Sequence, residues 1–183
     1  MALSNWSPHD ISSLWSHACN RQRLHCPSQC NTSIVGHMGA GGLSISWGSD
    51  CRYWKCTTTQ IGCHCVTCYE LTNVCWLQVD GRYGIHCLTE GMHYEVKIVV
   101  KLLSCLCITG PITCTLVDPN GCKQVCRKNC MQMPRNQIIC ISLGQFCVRK
   151  SSGCGEIQFS MVNTDSNWKR GIVVIGALIV PKY

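Results

Sequence analysis

Ligand-type side chains crowd into one short stretch, Gly62-Cys63-His64-Cys65-Val66-Thr67-Cys68. Thiolates and an imidazole suit zinc, which takes four such ligands, often as two separated pairs. Only Cys65 and Cys68 make a Cys-x-x-Cys pair here. A second pair would have to come from Cys122, Cys126 and Cys130, or from the N-terminal His17, Cys19, His25, Cys26 and Cys30. In an extended strand Cys63 and Cys65 share a face while His64 points away, which splits the set. The expectation is therefore no metal and no other cofactor, with the cysteines acting as small hydrophobes. Enzyme chemistry is equally thin. The nine acidic residues show no spacing that marks a catalytic carboxylate pair, and nothing singles out one cysteine nucleophile with a histidine base. Gly39-Ala40-Gly41-Gly42 precedes a strand pattern, so it lacks the helix N-terminus that cradles phosphate. It reads as a flexible lead-in, and no enzyme is expected.

Flat apolar side chains offer a different chemistry. Trp47, Tyr53 and Trp54 flank a small polar turn in a chain that is only 7% aromatic. Beside Asp50 they would give ring faces next to a hydrogen-bond acceptor, the mixture that small-ligand pockets use. A sugar, with one C–H face and equatorial hydroxyls, suits that mixture. A tryptophan filling the core fits the same residues, and periodicity alone does not choose between them.

The elements that must carry these residues alternate with period two, the mark of strands with one buried face. Leu77 and Val79 alternate with Trp76 and Gln78. Lys97 and Lys101 share a face opposite Val96, Ile98, Val100 and Leu102. Ile157, Phe159 and Met161 oppose Gln158 and Ser160. Further strands are expected over 111–117, 136–146 and 171–181. Turns are expected at Asp80-Gly81, at Asp118-Pro119-Asn120-Gly121 and at Ser151-Ser152-Gly153, with Asn120-Gly121 suited to a type I′ hairpin. No 3.6-residue apolar stripe is sustained. The pattern predicts an all-β antiparallel sandwich or jelly roll over residues 37–183. Residues 1–36, rich in cysteine and histidine, read as a short, loosely ordered N-terminal extension with one short helix after Ser7-Pro8.

Composition narrows the setting. The net charge of +7 is scattered, with no basic run longer than two, so nucleic acid is not an expected partner. The longest apolar run, 171–181, is too short for a membrane-spanning helix. The N-terminus lacks the basic start and continuous apolar stretch of a secretory signal. A protein outside the secretory route is expected, with the sequons at Asn5 and Asn31 unused. Nineteen cysteines pull the other way, since such density usually marks secreted disulfide scaffolds. The odd count leaves at least one thiol unpaired or bridged to another chain.

Leu43-Ser44-Ile45-Ser46-Trp47, a small turn and Tyr53-Trp54 resemble the opening motif of the phloem protein 2 (Nictaba-like) plant lectin family. The blocks YELTNVCWLQVDGR, LTEGMHYEVKIVVKL, LGQF, GEIQFSM and NWKRGIVVIGALIVPK resemble that family's later blocks, in order, over about residues 38 to 182. The resemblance implies a jelly-roll β-sandwich that binds N-acetylglucosamine oligosaccharides and the cores of N-glycosylated proteins without catalysis. It carries the sugar site onto Trp47, Trp54 and Glu156, with Asp50 and Tyr53 in the same turn. It also implies a cytoplasmic protein of the phloem sieve element or companion cell, and leaves the nucleus and a homodimer open. The chain departs from the family at Gly41-Gly42, where arginine is usual, and at Cys56, where a further tryptophan is frequent. A second function implied by the family is a cysteine-cross-linked structural protein of phloem sap, disulfide-linked to other phloem proteins.

Overall fold

The computed structural model describes residues 11–13, 15, 36–149 and 155–182. Eleven strands follow in chain order: β1 (Gly36–Gly39), β2 (Ser44–Ile45), β3 (Trp54–Ile61), β4 (His64–Leu71), β5 (Leu77–Gly84), β6 (His93–Cys107), β7 (Ile112–Val117), β8 (Lys123–Lys128), β9 (Ile138–Cys147), β10 (Glu156–Asn163) and β11 (Arg170–Lys182). They form two antiparallel sheets. One runs β3-β4-β11-β6-β9, with β1 also paired to β11; the other runs β2-β5-β10-β7-β8. The chain is an all-β jelly-roll sandwich, as the alternation predicted.

The inner faces hold the expected residues. Val96, Ile98, Val100 and Leu102 of β6 and Ile172, Val174, Ala177 and Ile179 of β11 pack against Leu77, Val79, Ile157, Phe159 and Met161 of the facing sheet. At about 25 cal/mol per Å² of apolar surface removed from water, a core of this extent needs no staples.

Four expectations are corrected. Asp80-Gly81 is not a turn, because β5 runs through it to Gly84. Gly81 pairs with Phe159 across the ladder, and a β-carbon there would collide with the Phe159 ring. Close approach, rather than chain reversal, requires that glycine. The β7–β8 connection is not a two-residue type I′ hairpin. The Gly121 amide donates to the Asp118 carbonyl at 2.9 Å, and Asp118 Oδ1 accepts from the Asn120 and Cys122 amides. Only Gly121 of this turn has positive φ, +84°. Pro119 presets the first turn position and the Asp118 carboxylate ties the loop shut, giving a longer connection. Gly39-Ala40-Gly41-Gly42 is no flexible lead-in either: Gly39 pairs with Gly176 of β11, and residues 40–42 make one 3-10 turn with Ala40 buried.

The fourth correction concerns the outer face of the larger sheet. Lys97 was expected on a solvated face, yet it is 2% exposed beside Glu95, with N–O distance 3.2 Å. A second apolar layer surrounds it, built from Ile61, Cys68, Val99, Val173, Ile175, Leu178 and Val180, and Ile11 and Trp15 lie on that layer. Residues 11–13 and 15 are helical, and both Ile11 and Trp15 are fully buried. This part of the supposedly loose extension is a packed third layer. Trp15 meets the His37 ring edge-on at 4.2 Å, and a β-carbon on Gly176 would stand 2.8 Å from the Trp15 ring. His17, Cys19, His25, Cys26, Cys30 and the Ser151-Ser152-Gly153 turn lie outside the described residues.

Candidate functional site

The aromatic turn, residues 46–53, leaves β2 and enters β3. Its backbone is closed by hydrogen bonds: Gly48 N to Ile45 O at 2.9 Å, Asp50 N to Trp47 O at 2.9 Å, and Tyr53 N and Trp54 N to Asp50 O at 3.0 Å. Trp54 anchors the turn from beneath. Its side chain is 2% exposed, and its indole N–H donates to the Ser46 carbonyl at 3.0 Å. The two tryptophans of the cluster therefore differ in depth. Trp54 is core, with no free ring face, whereas Trp47 is 59% exposed. Trp47 sits at φ +62°, the left-handed region that a bulky residue enters only at a cost of about 1–2 kcal/mol.

Tyr53 stands beside Trp47, ring centroids 5.9 Å apart and tilted by 56°. Arg52 lies over the Tyr53 ring at 5.3 Å and grips Asp50, with Nε at 3.1 Å from both oxygens and Nη2 at 2.7 Å. That hydrogen-bonded guanidinium holds the Asp50 carboxyl below the usual carboxylate range. The result is two tilted ring faces next to a charge-balanced carboxylate–guanidinium rim.

Two further loops reach the same end of the sandwich. Thr72 N donates to Tyr53 O at 2.9 Å, and Val74 and Lys169 exchange backbone hydrogen bonds at 3.0 and 2.7 Å. Lys169, fully buried, stitches the loops together. Its ammonium donates to Cys75 O at 2.6 Å, Asp165 O at 2.9 Å, Asp165 Oδ1 at 2.8 Å and Asn167 O at 2.8 Å. The Lys169 hydrogen bond holds the Asp165 carboxyl below its ordinary range. Trp76 and Trp168, on these loops, are 53% and 55% exposed.

Glu156 lies elsewhere. It pairs with Gly84 at the far end of β5, while the aromatic turn departs beside Gln78, whose carbonyl accepts from Ser46 N. Six residues of strand separate them, roughly 20 Å at the usual rise. The Glu156 carboxylate accepts from Arg82 at 3.3 Å and from Gln158 at 3.2 Å. The structure thus brings Trp47, Asp50 and Tyr53 together with Trp54 beneath them, and leaves Glu156 too far to grip the same sugar ring.

Residues 35–181 match the family profile described as Phloem protein 2. The chain belongs to this family. Among its relatives, a phloem protein 2-like protein, A1, of Arabidopsis thaliana is 35% identical over 148 residues, covering 78% of this chain and 60% of its own length. A protein named lectin from Luffa acutangula is 33% identical, covering 78% of this chain and 68% of its own. A lectin from Coccinia grandis is 26% identical, covering 70% and 82%. This chain thus spans less than two thirds of the Arabidopsis relative. A xylan-binding domain from Paenibacillus barcinonensis aligns over 82% of this chain and 92% of its own, at TM-score 0.40 and 15% identity, too distant to carry an argument.

Within this phloem protein 2 fold the metal-like stretch forms the β3–β4 hairpin. Cys63 lies in its turn and is exposed; Cys68 is buried in the outer apolar layer. Among the described residues no three histidine, cysteine or acidic side chains gather as a metal site. Burial pushes the Cys68 and Cys130 thiols up to about 11 and Cys114 up to about 12, so these remain inert thiols at neutral pH. Cys130 is completely buried. The exposed described thiols are Cys51, Cys56, Cys63, Cys65, Cys87, Cys105, Cys107 and Cys122. Sequence reasoning also passed over Trp76 and Trp168 as binding candidates. The signal for Trp76 was present, a large aromatic on the polar side of the β5 alternation.

Proposed function

We propose that this member of the phloem protein 2 family is a lectin that binds N-acetylglucosamine oligosaccharides and N-glycan cores at the 46–53 turn, without catalysis. The observation that carries the reading is Trp47, held exposed in a strained backbone conformation with Tyr53 tilted beside it. A solvent-facing indole kept in place against its own backbone preference fits a ligand-binding role. The C–H face of a sugar or an acetamide methyl would stack on Trp47 and Tyr53, while Asp50 and Arg52 receive and donate hydroxyl hydrogen bonds. Trp54 acts as a positioning residue beneath the turn. Relatives named lectin support the reading, and a cytoplasmic phloem setting is part of the same proposal.

Calorimetric titration of chitotriose tests it. Trp47→Ala should lose about 2 kcal/mol, roughly 30-fold in affinity, with the folded signal intact. Affinity equal to that of the unaltered protein in a folded Trp47→Ala variant would remove the turn from consideration.

A further inference from the structure

The outward residues of β5 make a row that the turn alone does not explain. Trp76, just before the strand, donates its indole N–H to Gln78 Oε1 at 2.8 Å. Gln78 donates its amide to Asp80 Oδ2 at 2.8 Å. Two positions on, Arg82 reaches Glu156 Oε1 at 3.3 Å, and Gln158 donates to the same oxygen at 3.2 Å. Successive outward side chains along a strand repeat every two residues, about 6.8 Å. The row begins where Ser46 N meets Gln78 O, one residue from Trp47, and ends at Glu156.

We propose that this row is an extended glycan subsite continuous with the 46–53 turn, so that the protein grips a linear oligosaccharide along β5 rather than a single terminal sugar. The inference rests on the glycan reading of the turn and specifies the length and path of its ligand. Trp76 supplies a second, exposed ring face whose orientation is fixed by its bond to Gln78. Gln78, Asp80 and the Arg82–Glu156 pair present amides and carboxylates at regular intervals, and side chains already held in geometry lose little entropy on binding. The charge of the row excludes the obvious alternatives. Its one cation is already paired with Glu156, and Asp80 adds a negative charge, which is wrong for a phosphate backbone. Strand addition by a peptide finds little edge as well, because β5 is paired with β10 along its whole length and its other edge is taken by β2 at Val79 and Asp80. The two carboxylates left far apart by the turn geometry then serve one ligand at its two ends.

A length series of chitin oligosaccharides, dimer to hexamer, titrated calorimetrically, tests the row. The unaltered protein should gain tenfold or more in affinity from trimer to hexamer. Trp76→Ala and Gln78→Ala should reduce that gain to threefold or less while leaving the trimer within twofold, and Trp76→Phe, which keeps a ring, should restore part of it. Comparison between variants cancels the statistical advantage of a longer chain. Equal affinity for trimer and hexamer in the unaltered protein, or a hexamer gain unchanged by both alanine variants, would overturn the row and leave the turn site standing. Absence of binding at every length would overturn the glycan reading itself, and the row with it.

Discussion

In the proposed site Trp47 carries two separable burdens, a ring offered to the ligand and a backbone angle that a side chain resists. Substitutions can part them. Trp47→Ala removes the ring but keeps a β-carbon at φ +62°, whereas Trp47→Gly removes both. The glycine variant should therefore be more stable than the alanine variant by about 1 kcal/mol, with both weakened in chitotriose affinity to the same extent, roughly 30-fold. Chemical denaturation of the two proteins checks this, and an alanine variant as stable as the glycine one would show that the turn is not strained. The residue types of this site were legible in the sequence, as was their clustering. Which tryptophan is core was not. Trp47 and Trp54 bracket a turn, and strand alternation cannot be extrapolated across a turn. Glu156 was taken from a resemblance, and only the β5–β10 register shows how far it lies from the turn.

Elements were legible where one face was apolar and the other polar. β5, β6 and β10 follow from alternation, whereas β7, β9 and β11 were legible as apolar segments, β11 being buried along nearly its whole length. β8 was not recognised, because Lys123–Lys128 is a charged edge strand with little apolar content, the composition that discourages edge-to-edge pairing. The loops at the end of the sandwich beside the aromatic turn left no periodic trace at all, since they are held by one buried ammonium. Lys169→Met should cost about 3 kcal/mol, because four acceptors lose their shared donor and Asp165 its counter-charge. The acid limb follows from the same contact. The folded Asp165 carboxyl lies below its ordinary value near 3.8, so its contribution is complete above that value and is lost as pH falls through the depressed one. Thermal melts from pH 6 to pH 3 should show an acid-induced loss that is weaker in Lys169→Met. The same acid slope in both proteins would place the acid sensitivity elsewhere.

At the scale of the whole molecule, the sandwich has a cover. Ile11 and Trp15 close the outer face of the larger sheet over His37, whose ring nitrogens are buried without hydrogen-bond partners. Burial holds the His37 imidazole below its ordinary value of 6.5. A group whose charged form is disfavoured in the fold contributes fully above its unfolded value and less as pH drops beneath it. Melting temperature should thus fall between pH 7.5 and pH 5, and His37→Phe should flatten that slope. Trp15→Ala should lower stability by about 3–5 kcal/mol, the usual cost of emptying a buried aromatic site. A pH slope unchanged in His37→Phe would dismiss the histidine as its source. The short helix was legible after Ser7-Pro8, but its docking on the sheet was not, because two buried side chains produce no stripe long enough to recognise.

The thiols, finally, are divided by depth. Those within the layers behave as hydrocarbon, while eight described ones stand at the surface, at the β3–β4 hairpin, the turn after β5, the end of β6, the β7–β8 turn and the aromatic turn itself. In polymer terms each chain is a monomer with functionality well above two. Were an oxidant to join such monomers, they would not extend a thread. They would branch, and past a modest degree of reaction percolate into a gel, while the unreactive interior would let each unit keep its fold inside the network.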